Sequence, residues 1–473
     1  MIFPVTGVSS RKCWFVLNVL YLHAHDAGRW LAPYAAAFDT PNAAAFSRGA
    51  VTFDEAYCAG PTCSPSRAAL LTGQWAHRTG MLGLTHRGFS LRRPERHLAR
   101  VLRGAGYDTV LSGVQHEQWG VPDFGYDTVL AQEDSGFVSD DAAVADAAAA
   151  WLRRRGGGDG GGTGGAAKRP FFMSCGFHLP HRPFDHLKPA DETMLSKAAV
   201  TALLADAGLP DTEQTRTDVR LYATAVTEAD RCFGVVLDAL DAAGLTGDTV
   251  VLLTTDHGPA FPGMKCQLYD GGTGVTMMLR TPDGAGGFVG AGRRCGALVS
   301  QVDVMPTLGE LLGFAPPEGG DGVSLRPLLE GAAGRVRDEL FTEVTWHAAY
   351  EPQRAVRTDT HKLIRHYDAP LPPPRANVDD GLTKDAAEAA GYFSRARPRT
   401  ELYDLAADPR ERNDVAEDPA YAGVRRDLEA RLDRWMAETG DPLCGGGVPR
   451  KPPGAMINRR THVSPAETDW EPA

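Results

Sequence analysis

The chain has 473 residues, more than one hydrophobic core usually supports, so two domains are expected. A formal net charge of −11 excludes nonspecific nucleic-acid binding, which needs a basic face, and weighs against a long polyanion lying across the surface. Eight cysteines, at 13, 58, 63, 175, 232, 266, 295 and 444, form no C-x-x-C pair and are too few for a disulfide framework, so neither a zinc cage nor a stapled scaffold is expected.

Arg11-Lys12 followed by the apolar run Cys13 to Leu22 has the outline of a signal peptide and equally of a buried first strand, Phe15 to Leu22. The strand is preferred, because cleavage would fall among His23 to Asp26, which the chemistry below needs. No apolar stretch reaches the roughly 18 residues of a membrane span. None of the five asparagines lies in an N-x-S/T sequon. Further strands are predicted at Tyr107–Gly113, Pro170–Phe177 and Thr249–Thr255, the last a β-branched run closed by Asp256. Between them lie an alanine-rich helix at Asp141–Arg155, a glycine insertion at 156–165, and a helix over Thr215–Leu245 with Gly244 as its stop. This alternation predicts an α/β fold, a large mostly parallel sheet flanked by helices, over residues 13–335. A smaller α+β domain follows over 336–473, with a strand at His361–Tyr367, a helix at Tyr421–Glu438 and a frayed last thirty residues.

Four strand ends carry ionisable groups: His23-Ala-His25-Asp26, Gln115-His116, His178-Leu-Pro-His181 and Asp256-His257-Gly258. One such ending is usually a turn. Four are harder to dismiss, since ligands of open α/β sheets bind beyond the carboxyl ends of the strands. In Cys63-Ser-Pro-Ser-Arg67-Ala-Ala-Leu-Leu-Thr-Gly73, Pro65 suits a first helical turn and Gly73 a stop. Cys63 then sits at a helix N-terminus, which favours an anion, and Arg67 lies one turn on along the same face. Pro180 breaks any helix between His178 and His181, which argues against a zinc-protease pair.

The Cys63–Gly73 segment resembles the C-x-P-x-R signature of the type I sulfatases, members of the alkaline phosphatase superfamily. His25-Asp26, Thr255 to Gly258, Phe177 to Phe184 and Glu401 to Pro409 resemble further segments of that family. Cys63–Leu84, Phe261–Gly274 and Trp435–Cys444 resemble its branch acting on N-sulfoglucosamine. The resemblance implies an alkaline-phosphatase-like fold and oxidation of Cys63 to formylglycine by a formylglycine-generating enzyme. It implies a divalent metal on Asp26, Asp256, His257 and residue 63, calcium being usual, with Mn²⁺ or Mg²⁺ as alternatives. His25 stands where an aspartate is common, so its place as a ligand is open. His257 stands where many members have asparagine and a phosphonate-cleaving branch has histidine.

By the same resemblance, Arg67 and Lys265 hold sulfate, His178 assists the leaving group, and His116 is the histidine of a G-K-x-H segment whose lysine is here Val114. His181 reads equally as a substrate contact and as a loop histidine bonded to backbone. A hydroxyl of hydrated formylglycine attacks sulfur, and the second hydroxyl then expels sulfate. The implied reaction is hydrolysis of a sulfate ester or sulfamate, with action on a terminal sulfated sugar expected from the acidic charge. The alternatives are a phosphonate monoester or phosphodiester hydrolase on the same scaffold, and a non-catalytic relative that binds sulfated ligands. The resemblance suggests a secretory or lysosome-like setting, which the missing sequon and unclear leader do not support. It allows a homodimer, and no membrane or nucleic-acid partner is expected.

Overall fold

The computed structural model describes residues 17–35, 37–120, 124–131, 140–157 and 169–470. The glycine insertion, from residue 158 on, lies outside the described residues, as do Cys13 and the Arg11-Lys12 pair.

Among the described residues, eight strands form the larger sheet: β1 (Asn18–Ala24), β2 (Val51–Tyr57), β3 (Asp108–Gly113), β4 (Thr128–Val129), β5 (Phe171–Phe177), β6 (Thr249–Thr255), β7 (Met277–Arg280) and β8 (Arg294–Ser300). Their order is β4-β3-β5-β1-β6-β7-β2-β8. All neighbours run parallel except at β7, which is antiparallel to both β6 and β2. The four predicted strands are the four adjacent central ones, each within a few residues of its expected bounds.

These strands are apolar almost throughout because both faces are covered. Along β1, Leu20, Leu22 and Ala24 enter one core cluster with the helices Asp141–Gly156 and Glu213–Ala242. Val19 and Tyr21 enter the other, with the helices Cys63–Thr72 and Val304–Leu312. The same alternation divides Val251 and Leu253 from Val250 and Leu252 in β6. Each such valine or leucine, taken wholly out of water, contributes roughly 1.5–3 kcal/mol.

A four-stranded antiparallel sheet follows in the order β12-β11-β10-β9, from β9 (Leu340–Trp346), β10 (Tyr350–Arg357), β11 (His361–His366) and β12 (Thr400–Asp404). The helix Ala422–Thr439 packs on it through Leu428, Leu432 and Trp435, which share a core with Trp75 and Ala69 beside the Cys63–Thr72 helix. A buried ion network ties the same parts together. Arg354 donates to both Asp441 oxygens at 2.5 and 3.1 Å, and Glu343 lies 2.9 Å from His77 Nδ1.

Among the described residues of the tail, which end at 470, the expected fraying is not found around Ile457. Ile457 and Asn458 are fully buried, and Arg87 donates to Met456 O at 3.0 Å and to Asn458 Oδ1 at 2.6 Å. A segment with almost no regular structure is held by such bonds to the rest of the chain: the Asn458 N–H also donates to Ala348 O at 2.8 Å, and Lys384 Nζ to Val463 O at 2.6 Å.

Candidate active site

The carboxyl ends of β3, β5, β1 and β6 lie side by side: Gly113 pairs with Gly176, His23 with Gly176, and Ala24 with both Phe177 and Thr255. The residues that follow these strands therefore enter one crevice, as the strand endings predicted. Gly176 is required there by close approach, since a Cβ on it would lie 2.2 Å from the His23 ring.

The Cys63–Thr72 helix delivers Cys63 to the crevice from its first turn. Thr62 is extended just before it, and Gly73 closes it in the left-handed conformation at φ 66°. Arg67 is wholly buried, and its guanidinium reaches His23 Nδ1 at 2.9 Å and Asp256 Oδ2 at 3.2 Å. Asp256 is the hub of the cluster. Its Oδ1 accepts from the backbone N–H groups of Asp26 and His257, both at 2.9 Å, and its Oδ2 lies 3.1 Å from His25 Nδ1. Burial opposes its charge, but His257, His25 and Arg67 outweigh that and hold the carboxyl well below its ordinary range. Asp26 has φ 46°, a left-handed backbone that aspartate tolerates at some cost, and the Asp256 bond to its N–H helps hold it there.

His257 Nε2 lies 3.4 Å from Cys63 Sγ and 3.5 Å from Asp26 Oδ1. His25, Asp26, Cys63 and Asp256 each place one donor atom within 4.8 Å of the others. Asp26 Oδ1 is buried and accepts no hydrogen bond among the described residues. A buried carboxylate oxygen without a donor, in a pocket of carboxylates and imidazoles, fits a divalent cation. His25, left open by the sequence, stands inside this cluster.

Lys265 is 3% exposed, and its Nζ donates to Asp26 Oδ2 and to Asp379 Oδ2, both at 2.9 Å. Burial works against its charge, but the two carboxylates prevail and raise its pKa well above the usual lysine value. His181 Nδ1 is bonded to Arg182 O at 2.6 Å, and its Nε2 lies 3.4 Å from Lys265 Nζ. His178 is set by Asp141, whose two oxygens accept from the N–H groups of His178 and Leu179 at 2.8 and 2.7 Å. Its ring lies 5.9 Å from that of His25, and that of His116 lies 6.3 Å from it. Val114 is buried, with its N–H on Gly176 O, so no cation stands at that position.

Three neighbours were missed from the sequence: Asp379, His86, whose Nδ1 lies 2.9 Å from His116 Nε2, and His23 as the partner of Arg67. His23 was detectable, since two residues' spacing along a strand puts it on the same face as His25. Asp379 and His86 lie in segments without a motif.

The crowd of histidines has a consequence for stability. His97 and His178 are pushed down to about 3 and His86 to about 4, burial being the first cause in each. His23, His25, His116 and His347 are lowered well below their ordinary range for the same reason. The unfolded chain therefore binds more protons at these seven positions below about pH 6.5, and stability is lost as pH falls. Burial raises Glu117 and Glu411 to about 7 and Asp141 to about 6, and lifts Asp230, Asp303 and Asp321 above the ordinary aspartate range, which acts in the opposite direction at six positions. Seven strongly lowered histidines outweigh six carboxyls, of which three are strongly raised. The urea midpoint of the metal-free protein is expected to be lower at pH 5.5 than at pH 7, and an equal or higher midpoint at pH 5.5 refutes this balance.

A family model described as Sulfatase matches residues 18–314, which span every site residue named above except Asp379. The chain belongs to the sulfatase family. It is 28% identical over 471 residues to human N-sulphoglucosamine sulphohydrolase, covering 90% of this chain and 91% of that one. It is 26% identical over 437 residues to an ulvan-active sulfatase of Formosa agariphila, covering 87% and 78%. A solved structure described as in complex with its substrate D-glucosamine-2-N,6-O-disulfate superposes with a TM-score of 0.66 at 18% identity, over 90% of this chain and 99% of that one. That structural likeness establishes the alkaline-phosphatase-like fold of this sulfatase. The family implies a divalent metal and a formylglycine, for which the cluster around Cys63 supplies the side chains.

Proposed function

We propose that this sulfatase hydrolyses the sulfate ester or sulfamate of a terminal sugar, with formylglycine at position 63 and a divalent cation on Asp26, Asp256 and His257, flanked by His25. One observation carries the reading: Cys63 Sγ lies among His25, Asp26, Asp256 and His257, with Arg67 and Lys265 closing on the same carboxylates. The bound cation supplies Lewis acidity, neutralising charge on the sulfuryl oxygens and easing loss of a proton from the hydroxyl at residue 63. Arg67 fixes Asp256 and the helix turn that carries residue 63. Lys265 offers N–H donors to a sulfuryl oxygen where negative charge accumulates. His116 is kept neutral by burial and can accept a proton from the second hydroxyl as sulfate departs. His178, neutral for the same reason, offers a ring N–H to the leaving group, and Lys265 carries the transferable proton. Calcium suits the carboxylates, while the imidazoles of His257 and His25 bring manganese within range. Maturation requires a formylglycine-generating enzyme.

The sugar assignment draws on the relatives, human N-sulphoglucosamine sulphohydrolase foremost. A phosphonate or phosphodiester hydrolase is the second reading, favoured by His257 beside Cys63 and by Val114 in place of a cation. Kinetics on one preparation decide between them. N- and O-sulfated glucosamine are expected to be turned over with higher kcat/KM than an aryl phosphonate, and a clear preference for the phosphonate would promote the second reading.

A further inference from the structure

The Lys265 ammonium sits in a cage of three acceptors: Asp26 Oδ2 and Asp379 Oδ2 at 2.9 Å and His181 Nε2 at 3.4 Å. Asp26, His181 and Asp379 each place an atom within 4.8 Å of the others, close enough to surround one cation. The partners differ in origin. Asp26 follows β1 at the heart of the cluster, whereas Asp379 lies beyond β11, between the turn Arg375–Asn377 and the helix Leu382–Ala389. The Asp379 side chain is 14% exposed, that of Asp26 not at all.

Asp26 cannot serve two cations equally. An ammonium on its Oδ2 competes with a divalent ion for the same carboxylate, and an ammonium displaced from it with only His181 Nε2 at 3.4 Å left to it would be a buried charge without a counter-charge beside a dication. We infer that Asp379 is a positioning residue that draws the Lys265 ammonium away from Asp26, freeing the carboxylate for the cation and the ammonium for the sulfuryl oxygens. This rests on the metal assignment proposed above. The inference makes metal affinity depend on a carboxylate that is not itself a ligand, and only through Lys265.

The test is calorimetric titration of the metal-free full chain with Ca²⁺ and with Mn²⁺, for wild type, Asp379→Asn, Lys265→Met and the double variant. Asp379→Asn is expected to weaken binding about tenfold, and Lys265→Met, which removes the competitor, to tighten it. In the Lys265→Met background, Asp379→Asn should change affinity by less than about twofold. Asp379→Glu, which keeps the charge one methylene further out, should recover part of the loss and serves if the asparagine variant does not fold. Equal weakening in both backgrounds overturns the inference, because the carboxylate then acts by its charge alone. Unchanged affinity in both Asp379 variants overturns it too. If wild type binds neither ion, the metal assignment fails and the inference with it, a result distinct from either of the others.

Discussion

Cys63→Ala leaves no measurable sulfatase turnover, a loss on the order of 10⁴-fold or more, the scale on which removal of a covalent nucleophile acts. The fold should survive, since only one small buried atom group is lost from a side chain that is 2% exposed. Cys63→Ser separates the two ways position 63 could work. In the metal-free protein, burial, then the nearby Asp26 and Asp256 carboxylates, push the Cys63 thiol well above its ordinary range against the pull of Lys265, so an unmodified thiol there stays protonated until a cation binds. A serine restores a hydroxyl without the second hydroxyl that expels sulfate, so it should retain at most a single turnover. The direct measurement is the intact mass of the peptide covering residues 58–73, in protein made with and without a formylglycine-generating enzyme. Fully active protein carrying only the thiol would end the formylglycine reading.

Much of this site was legible because its chemistry is local. Thr249–Thr255 is a strand at its predicted bounds because β-branched residues fill both faces of a doubly covered sheet. Cys63, Pro65, Arg67 and Gly73 encode a helix start, a charge one turn on and a stop, and the helix Cys63–Thr72 follows that order. What was not legible depends on tertiary placement. Among the described residues β8 pairs with β2 and β2 with β7, at the far edge of the sheet, and β2 carries Asp54 and Glu55 where a core strand would be apolar. Asp379 reaches Lys265 from a segment 114 positions away, and His86 reaches His116 from 30 away, neither with any local pattern. The tail was misread for the converse reason: its sequence looks loose, and what holds it are residues far upstream, Arg87, Ala348 and Lys384.

Asp256→Ala should lose bound metal and activity together, and lose stability as well. The carboxylate takes two backbone N–H bonds on Oδ1 and faces Arg67 and His25 through Oδ2, all within 3.2 Å. Alanine leaves the Arg67 guanidinium buried with His23 as its remaining side-chain contact of those described here, and removing one partner of such a pair costs about 3–5 kcal/mol. It also releases the left-handed backbone of Asp26, so the second proposed ligand shifts with the first. Asp256→Asn divides these effects. The amide oxygen can still accept from the two N–H groups, so the backbone of Asp26 is held, while the negative charge that the cation and Arg67 need is gone. The alanine variant should therefore melt well below wild type in the metal-free state and the asparagine variant less so, with both unable to hold the ion. Asp26→Ala should resemble Asp256→Asn in metal content. Elemental analysis of the three proteins alongside metal-free thermal melts is the measurement, and stoichiometric metal in both alanine variants would show that these two aspartates do not share one ion.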